Sequence, residues 1–576
     1  MLTRTGPRLS GAFFVYPVEW YRGFARAKPL KRRTRSGLLE SEAGVRNRLE
    51  KYRTMNQRLI VLLLAFGVLI AAVQSPPPTM TQILATPLLS HAIVAGEVYD
   101  LDTHRVLFAR NAQTLMEAAS TTKLLTEGTS LALLGPNFTW TTPVYRTGPL
   151  DAAGALHGDL VLVASGDPNI SQRIQPDGTL GFENEDHAYD GSPHTKAVPG
   201  DPLIVLRQLA AQVKASGLKA IDGRVAVDAS LFASPGPEGG TGTMVAPIIL
   251  NDNVVDVTIA PGAHAGDAAS ITVSPQTPYV SFVNHATTSG AGGEPSIDMS
   301  NDVMQSNGSH VVTINGAIPA GPTILFAYRV PNPDVFAQMA FVSVLQDAGI
   351  TVTTPADAKA FDPAVAKASY TAANLVATHT SLPLAQDVRI TLKLSDNLHA
   401  ALGPYTWAVH LAPAPHDDLL AQGFALERKM LVGAGLDVNS ASMQDGLGVS
   451  AFFTPDFMVH YLAWVRTQPW YDDFHNGLPI MGVDGTLFNI QNDSPAAGKV
   501  FAKTGTFGTA DELNDDETIT AKGLAGYMTT RSGHHVAFAF YINRTSGKGS
   551  IYDDKDIAHQ NGQLLGAMAT AAYLSL

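Results

Sequence analysis

Ala118-Ala119-Ser120-Thr121-Thr122-Lys123-Leu124-Leu125-Thr126 is the stretch on which the reading of this chain turns. Ser120 opens a helical pattern in which Leu124, Leu125, Leu131 and Leu134 share one side, and Gly135-Pro136 ends it. Lys123 follows one turn later and faces the same way as Ser120. A serine hydroxyl is a weak nucleophile until a neighbouring base takes its proton, and an uncharged amine at i+3 is within reach to do so. Lys123 can be that base only if desolvation or a second cation lowers its pKa.

Two further motifs stand downstream in fixed order. Ser395-Asp396-Asn397 follows Ser120 after a gap long enough to hold extra domains, and Lys503-Thr504-Gly505 follows Ser395 after a much shorter one. Each alone is weak: Ser216-Gly217-Leu218-Lys219 is a second S-x-x-K, read as a solvated helix end, and an S-D-N is often only a helix cap. Together they form a set suited to acyl transfer from a peptide. Ser395 can relay protons between the amine and the leaving nitrogen, and Asn397 can hold substrate backbone. Lys503 is the natural second cation. With Thr504 it can grip a terminal carboxylate, while Gly505 lets substrate lie against the strand. Backbone N–H groups of Ser120 and Thr506 are the expected oxyanion donors.

The chain holds 576 residues, 45% hydrophobic and 16% charged, which calls for several packed domains. It contains no cysteine, so thiol catalysis and Cys-ligated metal sites are excluded. Neither metal nor cofactor is expected: Asp472-Asp473-Phe474-His475 and His416-Asp417-Asp418 read as hydrated acidic loops rather than ligand sets. Gly239-Gly240-Thr241-Gly242 reads as a flexible turn, not a phosphate loop. Residues 1–54 carry a net charge of +9, whereas the chain from Pro76 onward carries −22, which argues against nucleic-acid binding. Leu59 to Val73 is an uncharged apolar run that ends just before Ser75-Pro76-Pro77-Pro78. It is too short for a bilayer span and suits a signal-peptide core, with residues 55–75 as signal and 76–87 as linker. The alternative, an uncleaved N-terminal anchor, would give a peripheral membrane association. Residues 1–54 look foreign to a secretory leader, and translation from Met55 would account for them.

His91–Asp100 and Arg105–Arg110 read as a hairpin, and Gly498–Gly505, Leu524–Thr530 and His534–Asn543 as strands. A helix is expected over Ala558–Tyr573. Between them, residues 146–330 have a different texture. Short β-like runs (Asp159–Ala164, Gly223–Val227, Val254–Ile259, His310–Ile314, Pro322–Tyr328) are separated by Gly- and Pro-rich turns, and one helix is expected over Pro202–Ser216. Asp511–Glu517 reads as a solvated acidic turn, with a cleft rim as the sharper alternative.

These residues resemble the class C low-molecular-mass penicillin-binding proteins, the D-alanyl-D-alanine carboxypeptidase/endopeptidases. The resemblance rests on the segment 118–126, on Gly158–Pro168, on Leu478–Leu487 and on Ala497–Thr506, and it covers about residues 88–575. It implies an α+β fold of the serine β-lactamase/DD-peptidase type, an antiparallel sheet flanked by helices. Residues 88–145 and 331–576 would form the peptidase domain and 146–330 one or two inserted β-rich domains. It further implies a periplasmic enzyme that cleaves peptidoglycan muropeptides through an acyl-serine, with β-lactam antibiotics as covalent inhibitors. Ser120, Lys123 and Ser395 would be catalytic, and Asn397, Lys503, Thr504, Gly505 and Thr506 would bind substrate. A silent wall-binding scaffold and a β-lactamase are the other readings. Two positions depart from the family pattern: Leu447 stands where a serine is usual, and Ala401 where a glutamate is common.

Overall fold

The computed structural model describes residues 77–353, 361–413, 418–549 and 556–576. The apolar run at 59–73, with the extension before it, and the His416-Asp417 pair lie outside the described residues.

The chain begins with a hairpin, β1 (Ile93–Asp100) and β2 (Arg105–Arg110). A 3-10 turn over Ala119–Thr122 then leads into α1 (Lys123–Leu134). The expected helix therefore opens with a tighter turn that carries Ser120, and Ala119 enters it at a φ of 44°.

The chain next builds a second hydrophobic core. β3 (Thr141–Arg146), β4 (Leu160–Val163), α2 (Ile204–Ala215), β5 (Val225–Asp228), β6 (Val254–Ala260), β7 (Ser270–Ser274), β8 (Ile324–Arg329), α3 (Pro333–Asp347) and β9 (Leu375–Thr380) follow in order. They form a four-stranded sheet, β9-β3-β4-β5, and a three-stranded sheet, β7-β6-β8. One hydrophobic core joins Val144, Leu162, Leu209, Val257, Phe336, Phe341 and Ala377. This core takes in residues on both sides of the expected 146–330 span. β3, where the chain enters it, lies antiparallel to β9, where it leaves, with Thr142 opposite His379.

Helices α4 (Leu384–Leu394), α5 (Asn397–Leu411) and α6 (Pro455–Arg466) follow. Three long strands, β10 (Val500–Asp511), β11 (Asp516–Thr529) and β12 (His535–Asn543), and helix α7 (Ile557–Ser575) complete the chain. The main sheet runs β2-β1-β12-β11-β10, so strands from the two ends of the sequence meet at its centre. Alternation sorts its two faces. Ala537, Ala539 and Tyr541 pack with Leu124, Leu125, Phe457 and Tyr461. Phe538, Phe540 and Ile542 face the other way, against Leu565 and Met568 of α7. This is the α+β sandwich expected.

Of two local readings, one stands and one changes. The acidic Asp511–Asp516 stretch is the tip of the β10–β11 hairpin, with Leu513 90% exposed, and it is not among the residues that line the cleft described below. Asp472–His475 belongs to a short helix, Tyr471–Gly477, rather than a loop. Buried Phe474 anchors it, and His475 packs on the Phe501 ring.

Candidate active site

Ser120 is half-buried, and its Oγ lies 2.8 Å from Lys123 Nζ. The same nitrogen is 3.3 Å from Ser395 Oγ and 2.6 Å from Asn397 Oδ1. A neutral amine has two N–H donors and one lone pair. Asn397 and Ser395 can take the donors, which leaves the lone pair for the Ser120 hydroxyl. Lys123 is fully buried, and burial lowers its pKa to about 8, against the pull of Asp396, Glu238 and Asp445.

The S-D-N motif is also a helix junction. Ser395 ends α4 in a left-handed conformation (φ 65°, ψ 34°), and Asp396 caps α5 by accepting from the His399 N–H at 3.0 Å. The cap and the convergence go together: the turn it makes lets Ser395 and Asn397 both reach Lys123. Left-handed backbone at a serine costs about 1–3 kcal/mol and persists only where the surroundings enforce it. Tyr189, from the inserted body, donates to the Ser395 carbonyl at 2.7 Å.

The K-T-G segment lies on β10, with Lys503 opposite Ala525 and Gly505 opposite Gly523. A Cβ on Gly505 would come 2.5 Å from the Ala118 carbonyl, 3.0 Å from Thr121 N and 3.1 Å from Ser120 N. The missing side chain therefore makes room for the turn that carries Ser120, a correction to the expectation that it clears space for substrate. Lys503 is fully buried and its Nζ donates to the Thr504 carbonyl at 2.8 Å. Burial, then the neighbouring Lys123, holds it well below the usual lysine range. Of the two causes open for Lys123, desolvation or a second cation, burial is the main one. Thr504 Oγ1 donates to Thr486 Oγ1 at 2.7 Å, and Lys522 Nζ to Thr506 Oγ1 at 2.7 Å. A cleft of about 330 Å³ opens here, lined by Ser120, Tyr189, Ser395, Thr504, Thr506 and Lys522 among others.

The profile of the D-Ala-D-Ala carboxypeptidase 3 (S13) family matches residues 78–564, most of the chain. The chain belongs to that family. This S13 carboxypeptidase is 26% identical over 517 residues to a D-alanyl-D-alanine carboxypeptidase of Actinomadura sp. (strain R39), a match that covers 84% of each chain. It is 23% identical to the D-alanyl-D-alanine carboxypeptidase DacB of Haemophilus influenzae, over 83% of this chain and 92% of that one. The crystal structure of penicillin binding protein 4 (dacB) from Haemophilus influenzae covers 86% of this chain and 99% of its own, with a TM-score of 0.61 at 21% identity, and so shares the fold. That protein has also been solved complexed with a novel β-lactam, with a TM-score of 0.59.

In this carboxypeptidase the inserted body is bolted to the back of the S-D-N turn by buried charge. Arg173 bonds Asp186 at 2.8 Å and Asp252 at 2.6 Å, and lies 4.0 Å from Asp396. His187 bridges Asp252 and Asp256 at 2.7 and 2.9 Å, and His399 reaches Asp387 at 2.8 Å. Burial alone would discharge both histidines. The carboxylates around them, Asp256 and Asp252 for His187, Asp396 and Asp387 for His399, outweigh it and hold both well above the usual value.

Sequence reasoning missed Tyr189, Lys522, Thr486 and this network. Thr486 alone had a signal, since it lies in the quoted Leu478–Leu487 segment. The Gly-rich turn was misjudged as well. A Cβ on Gly240 would collide with Asn397 Nδ2, and Glu238 binds the Gly240 and Thr241 N–H groups at 2.6 Å each, so the turn is a fixed seat for Asn397. The two departures also find a common place: Leu447 and Ala401 are both buried in one apolar cluster with Phe232, Val245 and Leu398. The copy at Ser216–Lys219 ends α2 as expected, with Gly217 at a φ of 92°.

Proposed function

We propose that this chain is a periplasmic serine D-alanyl-D-alanine carboxypeptidase and endopeptidase of peptidoglycan stem peptides, working through an acyl-Ser120 intermediate that β-lactams arrest. The observation that carries the reading is the convergence of Ser120, Ser395 and Asn397 on one buried amine of lowered pKa. Lys123 takes the Ser120 proton as Oγ attacks the carbonyl carbon of the penultimate D-Ala. The N–H groups of Ser120 and Thr506 receive the developing oxyanion. The proton then passes through Ser395 Oγ to the departing nitrogen, and the C–N bond breaks. Water returns the acyl group as a free acid.

The leaving group's carboxylate docks against Lys503, Thr504 and Thr506. Burial holds the Lys503 amine well below the usual lysine range. An incoming carboxylate favours its charged form, so charge appears where substrate binds. The β-lactam bound to the Haemophilus protein supports the covalent inhibition assigned here.

The test is labelling with a fluorescent penicillin together with D-Ala release from purified muropeptides, cross-linked and not. A long-lived adduct and D-Ala release that both vanish in folded Ser120→Ala are expected. Folded wild type with neither would make the chain a silent scaffold. Fast penicillin turnover without an adduct would make it a β-lactamase. Fractionation that leaves the protein in the cytoplasm would overturn the placement.

A further inference from the structure

Away from the cleft, β1 and α6 bring three ligating side chains to one point. Glu97 lies on β1 opposite Ala539 of β12, on the sheet face that Ala95 shares with Phe457 and Tyr461 of α6. Asp456 and His460 stand at i and i+4 on α6, one above the other. One ligating atom from each of the three lies within 4.8 Å of the other two. The Tyr99 ring rests on His460, with centroids 4.9 Å apart, and His460 Nδ1 lies 2.8 Å from the Asp456 carbonyl, which fixes the imidazole.

Packing alone does not explain Glu97. It is only 1% exposed, and among the described residues its Oε1 has no hydrogen-bond partner. An unpaired buried carboxylate oxygen is costly. Asp456 and His460 side chains are 34% and 44% exposed, which leaves an entry path from solvent.

We propose that Glu97, Asp456 and His460 form a binding site for a divalent cation of the zinc class. One imidazole and two carboxylates suit a borderline ion, and three protein ligands leave a fourth position for water. Magnesium and calcium favour all-oxygen shells, so the His460 nitrogen in this group favours the softer ion. Ligand atoms now up to 4.8 Å apart need only side-chain rotation to close on an ion about 2.0–2.2 Å from each. A second cluster, Asp252, Asp396 and His399, is geometrically similar but sealed from solvent. Arg173 and protonated His187 already neutralise it, so an added dication would be repelled. The ion at Glu97 would tie strand β1 to helix α6 and touch none of the groups around Ser120. Its effect falls on stability.

The experiment uses the full chain, stripped with chelator and titrated with Co²⁺ and Zn²⁺, with visible absorption, calorimetry and thermal unfolding as readouts. Wild type should bind one saturable equivalent, show the intense absorption of low-coordinate cobalt, and unfold at higher temperature with Zn²⁺ but not with equal Mg²⁺. Glu97→Gln and His460→Ala should each weaken binding at least tenfold and remove that absorption, while penicillin labelling of Ser120 stays at the wild-type rate. Asp456→Asn replaces either variant that fails to fold. Wild type that binds no zinc at micromolar concentration, or variants that bind as wild type does, would overturn the site. Neither result bears on the peptidase assignment, which the labelling reads separately.

Discussion

Acylation should switch on as Lys123 loses its proton. The amine is fully buried and titrates near 8 rather than near the ~10.4 of a hydrated lysine. Only the neutral form can accept the Ser120 proton, so the rate follows the neutral fraction. For a midpoint near 8 that fraction is about 0.09 at pH 7 and about 0.91 at pH 9, so the rate constant should rise roughly tenfold between them. Stopped-flow measurement of the second-order acylation constant with a fluorescent penicillin, from pH 6 to pH 10, reads the profile. A flat profile, or a rise centred near the hydrated lysine value, would refute Lys123 as the base.

Three further outcomes follow from packing. Gly505→Ala pushes a methyl against the Ala118 carbonyl and Thr121 N, backbone atoms that cannot yield. It should slow acylation on the order of 10²-fold with unchanged circular dichroism, and a wild-type rate would show that the contact does not position Ser120. Arg173→Met strands Asp186 without its cation and leaves Asp252 to the histidines, and should cost about 3–5 kcal/mol in urea unfolding; an unshifted midpoint would mean that the Arg173 pairs hold nothing. Leu447→Ser puts a hydroxyl among Phe232, Val245 and Leu398 and should cost about 2–4 kcal/mol, read as a lower Tm. A gain in Tm would restore a polar role to that loop.

The convergence of the candidate site was legible because its residues are written in short, ordered runs. Ser120 and Lys123 are one helical turn apart, and the S-D-N and K-T-G residues come as contiguous triplets, so each element could be placed by its own neighbours. The edges of the inserted body were not legible, because they are set by β3 pairing with β9, which is made only after the whole body has been traversed; no local pattern encodes that partnership. Tyr189, Arg173 and His187 were missed for the same reason. Each looks like an ordinary surface residue in sequence and becomes meaningful only when Ser395 or Asp252 arrives beside it. Gly505 was given the right importance for the wrong cause, since the turn it accommodates, at Ala118–Thr121, belongs to the opposite end of the sequence.

The pairing of β1 with β12, Ile93 opposite Asn543, has a consequence for synthesis. A ribosome adding about 5–20 residues per second needs roughly 20–90 s to span that interval. For most of it the nascent chain carries Ser120 and Lys123 but lacks β10, whose Gly505 packs on their turn and which bears Lys503, so the site stays incomplete. Reactivity is thus withheld until translation of the final sheet strands. A stop codon anywhere upstream of them yields an inert fragment, not a weakened hydrolase.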